Sequence, residues 1–449
     1  MATSVVETLR HYCALGSQQT VLGIERAIPV LHCGPGCSSK LWWGLGMSNG
    51  CQGTGYCGGS AIPCTNATEK EVIFGGEGRL RETIEGALKV MDGDLFVVLT
   101  GCVADIIGDD TGRIVREFRE QGAPIVCAET GGFKGTNYEG HEIVVEAIIN
   151  QFIGGAGAPV TPGLVNVWSA VPYQDPFWSG NLSAIGELLH GLGLEANTLF
   201  GPGSGGVEAW KRIPSAQFNL VVSPWVGLGI AKLLEEKYGT PFLHCPVLPI
   251  GPTETSKFLG EVGRFAGVEE KRIEECVAEQ EAEFYYYLER SADLFLENRN
   301  YLPTHIVTIL DSYYSLGVCR FLSQDLGLLP KAHYITDETP EEHQSSVASA
   351  LTSDLPSPIP AEVRFESDSG VINGELRGLG DLTLHLVLAS DWDKDIADEL
   401  NAYHLALSPP LMECLILNRA HVGYRGGLRL MEDIYGSVIA GKKGHGGCC

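Results

Sequence analysis

Asp94-Leu-Phe-Val-Val-Leu-Thr100, continuing through Gly101-Cys102 to Pro124-Ile-Val-Cys-Ala128, is the stretch whose reading decides the fold. Its first segment is a continuous apolar run rich in β-branched residues, as expected of a strand covered on both faces, and its last segment has the same character. Between them lies a helix-like segment. Asp109 and Asp110 suit a helix N-terminus, where carboxylates accept from unpaired amides and face the positive end of the dipole, and Gly122 ends the helix. Strand, helix and strand together make a βαβ unit.

The same alternation recurs along the chain. Ala27 to Leu31 is another apolar strand ahead of the first unit. Strands at Val165 to Trp168, Phe218 to Val222 and Pro241 to His244 alternate with helix-like Leu182 to Leu189 and Leu228 to Tyr238. A third set predicts strands at His305 to Leu310, His333 to Thr336, Leu382 to Leu388 and Leu415 to Leu417, with helices at Tyr313 to Leu326 and Ile396 to Tyr403. The pattern predicts an α/β protein of three doubly wound, parallel-sheet, Rossmann-like domains over 1–160, 161–300 and 301–449. The length of 449 residues agrees, at roughly 150 residues per domain. Gly154 to Gly163, rich in Gly and Pro, reads as the first linker, and polar Asp337 to Pro360 as an excursion within the last domain.

Apolar residues make up 44% of the chain and charged residues 19%, enough for buried cores and too apolar for global disorder. Against 31 basic residues stand 56 acidic ones, and a net charge of −25 repels nucleic acid and anionic membrane. No apolar run reaches the length of a membrane span, and Met1 to Arg10 lacks the features of a secretory signal, so the expected location is the cytoplasm.

Cysteine usage points to the chemistry. Seven of fourteen cysteines, namely Cys13, Cys33, Cys37, Cys51, Cys57, Cys64 and Cys102, fall in the first quarter of the chain. In a large chain of this type they suggest metal or redox chemistry more than disulfides; for any single one, the alternative is a buried thiol acting as a small hydrophobe. Cys102 lies just past a strand, where open parallel sheets gather ligands. Cys37 closes the loop His32-Cys-Gly-Pro-Gly-Cys37 after another strand, and its glycines leave space for a bulky inorganic group. Cys13 has no signature of its own. The spacings among Cys33, Cys37, Cys51, Cys57 and Cys64 lack the paired C-x2-C arrangement of zinc ribbons, whereas thiolates converging from strand ends suit an iron–sulfur cluster. Gly34-Pro-Gly36 and Gly201-Pro-Gly-Ser-Gly-Gly206 lack the lysine of a phosphate loop, so ATP binding is not expected of this chain.

The order Cys13-Ala-Leu-Gly, His32-Cys-Gly-Pro-Gly-Cys37, Val72-Ile-Phe-Gly-Gly76 and Thr100-Gly-Cys-Val-Ala-Asp-Ile-Ile-Gly-Asp-Asp110 resembles the β subunit of nitrogenase component 1. Phe133-Lys-Gly135, Ser223-Pro-Trp225, Pro249-Ile-Gly251 and Gly423-Tyr-Arg-Gly426 keep the register, so the resemblance covers nearly the whole chain. It implies that Cys13, Cys37 and Cys102 hold a shared [8Fe–7S] cluster of the P-cluster type, with [4Fe–4S] as the alternative and Cys33, Cys51, Cys57 and Cys64 as alternative ligands. It also implies an α-type partner in an α2β2 heterotetramer, a catalytic iron–sulfur cofactor in that partner, and a separate ATP-dependent reductase of the iron-protein type with its own [4Fe–4S] cluster.

In the α half of the family a cysteine and a histidine hold the large catalytic cofactor. Here Ser223 stands in place of the cysteine and Glu413 where the histidine is expected, while nearby His421 reads as a surface or capping residue. Catalysis is therefore expected in the partner, with no catalytic residue in this chain. Leu41-Trp-Trp-Gly-Leu-Gly46 and the Gly-rich Cys51 to Gly59 replace the arginine- and phenylalanine-rich stretch of true nitrogenases, and Gly132 replaces a serine that can bind the oxidised cluster. Trp42 and Trp43 read as core packing or as a shield for the cluster. By elimination the best fit is the methylthio-alkane reductase family, which cleaves C–S bonds of small thioethers to methanethiol and hydrocarbon. The alternatives are a vanadium or iron-only nitrogenase and a non-enzymatic cofactor-assembly scaffold. The end Gly446-Gly-Cys-Cys449 resembles a prenylation signal but is expected to be a flexible tail.

Overall fold

The structure, a computed structural model, describes residues 6, 7, 9–37, 44, 46, 48–52, 62–155, 157–355 and 357–441. Among these, three parallel sheets organise the chain. The first contains β1 (Ala27–His32), β2 (Leu95–Thr100) and β3 (Ile125–Ala128), in the order β1-β2-β3. The second contains β4 (Thr161–Trp168), β5 (Glu195–Thr198), β6 (Ala216–Val222) and β7 (Phe242–Cys245), in the order β5-β4-β6-β7. The third contains β8 (His305–Leu310), β9 (Leu329–Ile335), β10 (Glu362–Phe365), β11 (His385–Ala389) and β12 (Tyr403–Ala406), in the order β10-β9-β8-β11-β12. The direction of winding reverses between β4 and β6 and between β8 and β11, and such reversals open a crevice at the carboxyl ends of the strands.

All six residues of β2 are buried, which is why the segment reads as an unbroken apolar run. His32 pairs with Thr100 and Leu99 with Ala128, so the three strands of the first sheet end together and send their following loops off the same edge. One continuous apolar core links the sheets, running from Leu15 and Leu99 through Val165 and Leu220 to Leu310 and Leu430. The N-terminal arm is pinned to the third sheet. Arg10 Nη2 lies 2.6 Å from Asp393 Oδ1, both side chains are 1% exposed, and Arg10 Nη2 also donates to Ser369 Oγ.

Several expectations are corrected. Asp110 caps the helix Thr111–Glu120 by accepting from Arg113 N, but Asp109 is turned away from that cap and accepts from Gly76 N instead. A separate short helix, Cys102–Ile107, precedes it and ends at left-handed Gly108. The expected helix from Tyr313 is the helix Ser312–Arg320, capped by Asp311, and it passes into a wider turn at Phe321–Asp325. The polar excursion Asp337 to Pro360 holds the helix Glu341–Thr352 and leads into β10, a crossover on the third sheet. The helix expected to reach Tyr403 stops at Glu399; Asn401 adopts φ 58°, and Tyr403 begins β12. Leu415 to Leu417 is loop, with Leu415 62% and Leu417 69% exposed and only Ile416 between them buried, its N donating to Gly50 O. The edge strand β5, Glu-Ala-Asn-Thr, is too polar to announce itself. Among the described residues, no helix is long and apolar enough to cross a membrane.

Candidate metal centre

Three loops leave the common edge of the first sheet. The loop after β1 leads to Cys37, Gly101 and Cys102 follow β2, and the turn after β3 carries Gly132. Cys13 arrives from the N-terminal arm through an antiparallel bridge to Thr136, reinforced by Ala14 N donating to Gly135 O and Asn137 N to Tyr12 O. Gly132 then lies between two of the cysteines expected as ligands. Its amide donates to Cys102 Sγ over 3.1 Å. A Cβ at this position would stand 3.0 Å from Cys102 Sγ, 3.3 Å from Cys13 Cβ and 3.5 Å from Cys13 Sγ. The absent side chain lets the two thiols share one small space, and the amide presents its N–H to sulfur.

Cys37 sits on a helical turn at 35–37 and is exposed, as is Cys13, while Cys102 is half-buried. Among the described residues, nothing lies within 4 Å of where a Cβ on Gly36 would stand. Among the described residues, no group of three His, Cys, Asp or Glu side chains closes a metal site, so the structure brings Cys13 and Cys102 together and leaves Cys37 apart from them on the same sheet edge. Soft sulfur donors, space at two glycines and an amide aimed at sulfur fit an iron–sulfur cluster approached from outside the chain.

The other cysteines divide. Cys33 is 1% exposed and packed behind Gly101, with its Sγ 3.7 Å from Cys64 Sγ. Cys51 is held against the carbonyl of Met412, at 3.8 Å. Cys127, in β3, is a structural thiol whose pKa burial pushes up to about 12. Cys57, Trp42, Trp43 and Gly446 to Cys449 lie outside the described residues.

The residue reading missed a buried pair beneath the loop. His32 Nε2 lies 2.9 Å from Asp109 Oδ2, and both side chains are almost fully enclosed. The same carboxylate accepts from Gly76 N, while His32 Nδ1 meets Thr65 Oγ1 at 3.2 Å. Burial lowers the pKa of His32, with Asp109 opposing it. The pair ties the end of β1 to the turn before the helix Glu77–Val90. Its only trace in the sequence is that Asp109-Asp110 holds one carboxylate more than a cap requires. Large apolar groups stand exposed on the elements around the cysteines: Ile73 (71%), Phe74 (81%), Ile106 (74%) and Phe133 (63%).

A second position of interest is the crevice where β4, β6 and β8 end. Ser169, Ser223, Asp311 and Ser312, with Asp337, Tyr138, Tyr313 and Trp225, line a space of about 20 Å³. That holds about one water and no cofactor. Asp337 accepts from Ser312 N, Trp225 Nε1 and Thr339 N. Burial lifts the pKa of Asp311 to about 8, the charge of Asp337 adding to it, and burial lifts that of Asp175 to about 7. His421 is not a surface residue: it is fully buried, its ring lies 4.3 Å from that of Phe177, and its Nδ1 lies 3.2 Å from Tyr314 OH. Its backbone N donates to Asn181 Oδ1, and its Nε2 lies 3.8 Å from Asp433 Oδ2. Glu413 is exposed and paired with Lys394.

Comparison with known proteins agrees with this geometry. Residues 13–439 match the family described as nitrogenase component 1 type oxidoreductase. The chain is 22% identical to the nitrogenase molybdenum-iron protein beta chain of Clostridium pasteurianum, across 95% of this chain and 91% of that one. It is 25% identical to the molybdenum-iron protein alpha chain of Methanosarcina barkeri over 62% of this chain, and 28% identical to the cofactor biosynthesis protein NifE of Methanococcus maripaludis over 59%. These two matches span only about half of each relative's length, 52% and 54%. The fold superposes on the solved structure "Nitrogenase Cp1 at pH 6.5" with a TM-score of 0.77, covering 98% of this chain and 94% of that one at 19% identity. With a match running through almost its whole length, and with three parallel sheets of which the first gathers a cysteine pair, the chain belongs to the nitrogenase component 1 type oxidoreductase family.

Proposed function

We propose that this chain is the β-type subunit of a nitrogenase-like reductase, and that Cys13, Cys37 and Cys102 hold one side of an iron–sulfur cluster at its interface with an α-type partner. The observation that carries this reading is the placement of Cys13 and Cys102 on either side of Gly132, with the Gly132 amide on Cys102 Sγ. Such a cluster, of the P-cluster type or [4Fe–4S], would supply electron storage and transfer. The chain's own residues orient and enclose it. Gly132 offers an amide and no hydroxyl, leaving thiolates as the donors from this side, and His32 with Asp109 fixes the strand end that leads to Cys37. Exposed Ile73, Phe74, Ile106 and Phe133 give a partner an apolar surface to cover, which excludes water from the centre.

The small crevice at Ser223 favours substrate reduction in the partner, within an α2β2 heterotetramer served by an ATP-dependent [4Fe–4S] reductase. The preferred reaction is reductive cleavage of methylthio-alkanes to methanethiol and hydrocarbon. A vanadium or iron-only nitrogenase is the second reading, supported by the near-complete alignment with a nitrogenase beta chain. The partial likeness to NifE supports an assembly scaffold less, because it covers 59% of this chain. A headspace assay of the purified complex with its reductase and ATP separates the three. Methanethiol and hydrocarbon are expected; ammonia alone would replace the preferred reaction with nitrogen fixation, and no product from a complex that passes on its cofactor would indicate the scaffold.

A further inference from the structure

We propose that Cys33 and Cys64 form a reversible dithiol–disulfide couple, an oxidation site distinct from the thiols assigned to the cluster and independent of that assignment. Their sulfurs are 3.7 Å apart. The backbone already holds the two residues on neighbouring extended segments: Leu31 and Cys64 form a parallel bridge, Leu31 N donates to Pro63 O, Thr65 N to Leu31 O and Ala67 N to Cys33 O. Cys64 stands opposite Leu31, two residues before Cys33, so closing the 3.7 Å gap to the roughly 2 Å of an S–S bond takes side-chain rotation together with a small shift of the 63–67 segment.

The two thiols differ in a way that sets their roles. Cys64 is half-buried; its Sγ accepts from Asn66 N over 3.4 Å and donates toward Cys33 O at 3.6 Å. Cys33 is enclosed, with Gly101 pressed so close that a Cβ there would fall 2.6 Å from Cys33 Cβ. Cys64 is therefore the thiol that meets an oxidant, and Cys33 the one that resolves the product. With hydrogen peroxide, Cys64 attacks one oxygen, the O–O bond breaks, and a sulfenic acid forms as the first water leaves. Cys33 then attacks that sulfur, the S–S bond forms, and the second water leaves. Two thiols lose two electrons, the peroxide gains them, and both thiol protons leave in water. A dithiol reductant returns two electrons and two protons by exchange. The bond ties the residue after β1 to the segment 63–67, while Cys13 and Cys102 beside Gly132 take no part.

The test uses the complete complex, treated anaerobically with near-stoichiometric peroxide, blocked with N-ethylmaleimide and digested for fragment-ion mass spectrometry. The expected result is a peptide pair cross-linked through Cys33 and Cys64, with both residues losing alkylation together and regaining it after dithiothreitol. In Cys33→Ser the link disappears, dimedone labelling of Cys64 rises several-fold after peroxide, and cluster iron is unchanged. Independent alkylation of both thiols after oxidation, a link from either to another cysteine, or loss of cluster iron in Cys33→Ser would overturn the proposal. The wild-type link decides the matter even where a variant folds poorly.

Discussion

Gly132 donates its backbone N–H to Cys102 Sγ over 3.1 Å, and the room left by its missing side chain is shared with Cys13. A side chain added at this one position would press on both cysteines, so its tolerance reports on the centre.

Gly132→Ala is therefore expected to weaken cluster retention while leaving the fold intact. The added Cβ lies 3.0 Å from Cys102 Sγ, closer than ordinary contact, and overpacking of this kind costs about 1–3 kcal/mol. Iron content after a chelator challenge should fall several-fold against wild type, with little change in far-ultraviolet circular dichroism. Equal iron retention would show that the glycine is incidental.

Asp109→Ala should destabilise the chain by about 2–3 kcal/mol, because it leaves His32 Nε2 and Gly76 N without their acceptor in an enclosed site. Asp109→Asn keeps shape and one acceptor oxygen and should cost about half as much. Thermal midpoints of the two variants measure this; a cost for Ala no larger than for a surface substitution would remove the pair from the design of the site.

The crevice carboxylates predict a pH dependence. The pKa of Asp311 rises from 3.8 to about 8 on folding, chiefly through burial, so the folded chain takes up a proton that the unfolded chain has released. Its contribution to stability is complete below pH 4 and is lost as pH rises toward 8, at about 1.4 kcal/mol per pH unit in that window. Asp311→Asn retains a cap for the helix Ser312–Arg320 and removes the titration. Its thermal midpoint should exceed that of wild type increasingly between pH 6 and 8, and a constant difference would contradict the assignment. Buried His333, lowered to about 4, works in the opposite sense: its stabilisation is complete above pH 6.5 and is lost as pH falls toward 4.

The arm that delivers Cys13 is anchored by Arg10 and Asp393. Arg10→Ala leaves a buried carboxylate unpaired and should cost about 3–5 kcal/mol, whereas Arg10→Met with Asp393→Leu should cost much less. A double-mutant cycle on thermal midpoints, read with limited proteolysis of the arm, tests this. Additive losses would mean that the pair does not act as a unit.

How much of this was legible depended on the range of each contact. The apolar runs of β2 and β3 and the strand-end position of Cys102 are local signals, and the structure has them where the sequence expects them. Cys13 has no local signal because its place depends on a bridge to Thr136, far along the chain. The second carboxylate of Asp109-Asp110 looked like part of a cap because its partners, His32 and Gly76, come from other loops. Leu415 to Leu417 imitates a strand in apolar content alone, while Tyr403–Ala406 forms one because β11 offers it an edge. Burial of His421 depends on Phe177 and Tyr314, which no spacing in the sequence reveals.

The most direct measurement is iron analysis with electron paramagnetic resonance of the complex carrying Cys102→Ala, co-expressed with its α-type partner. If Cys102 holds a shared cluster, the complex loses that cluster's iron and signal while the partner's cofactor stays in place. Unchanged iron and unchanged cluster signals would contradict the assignment.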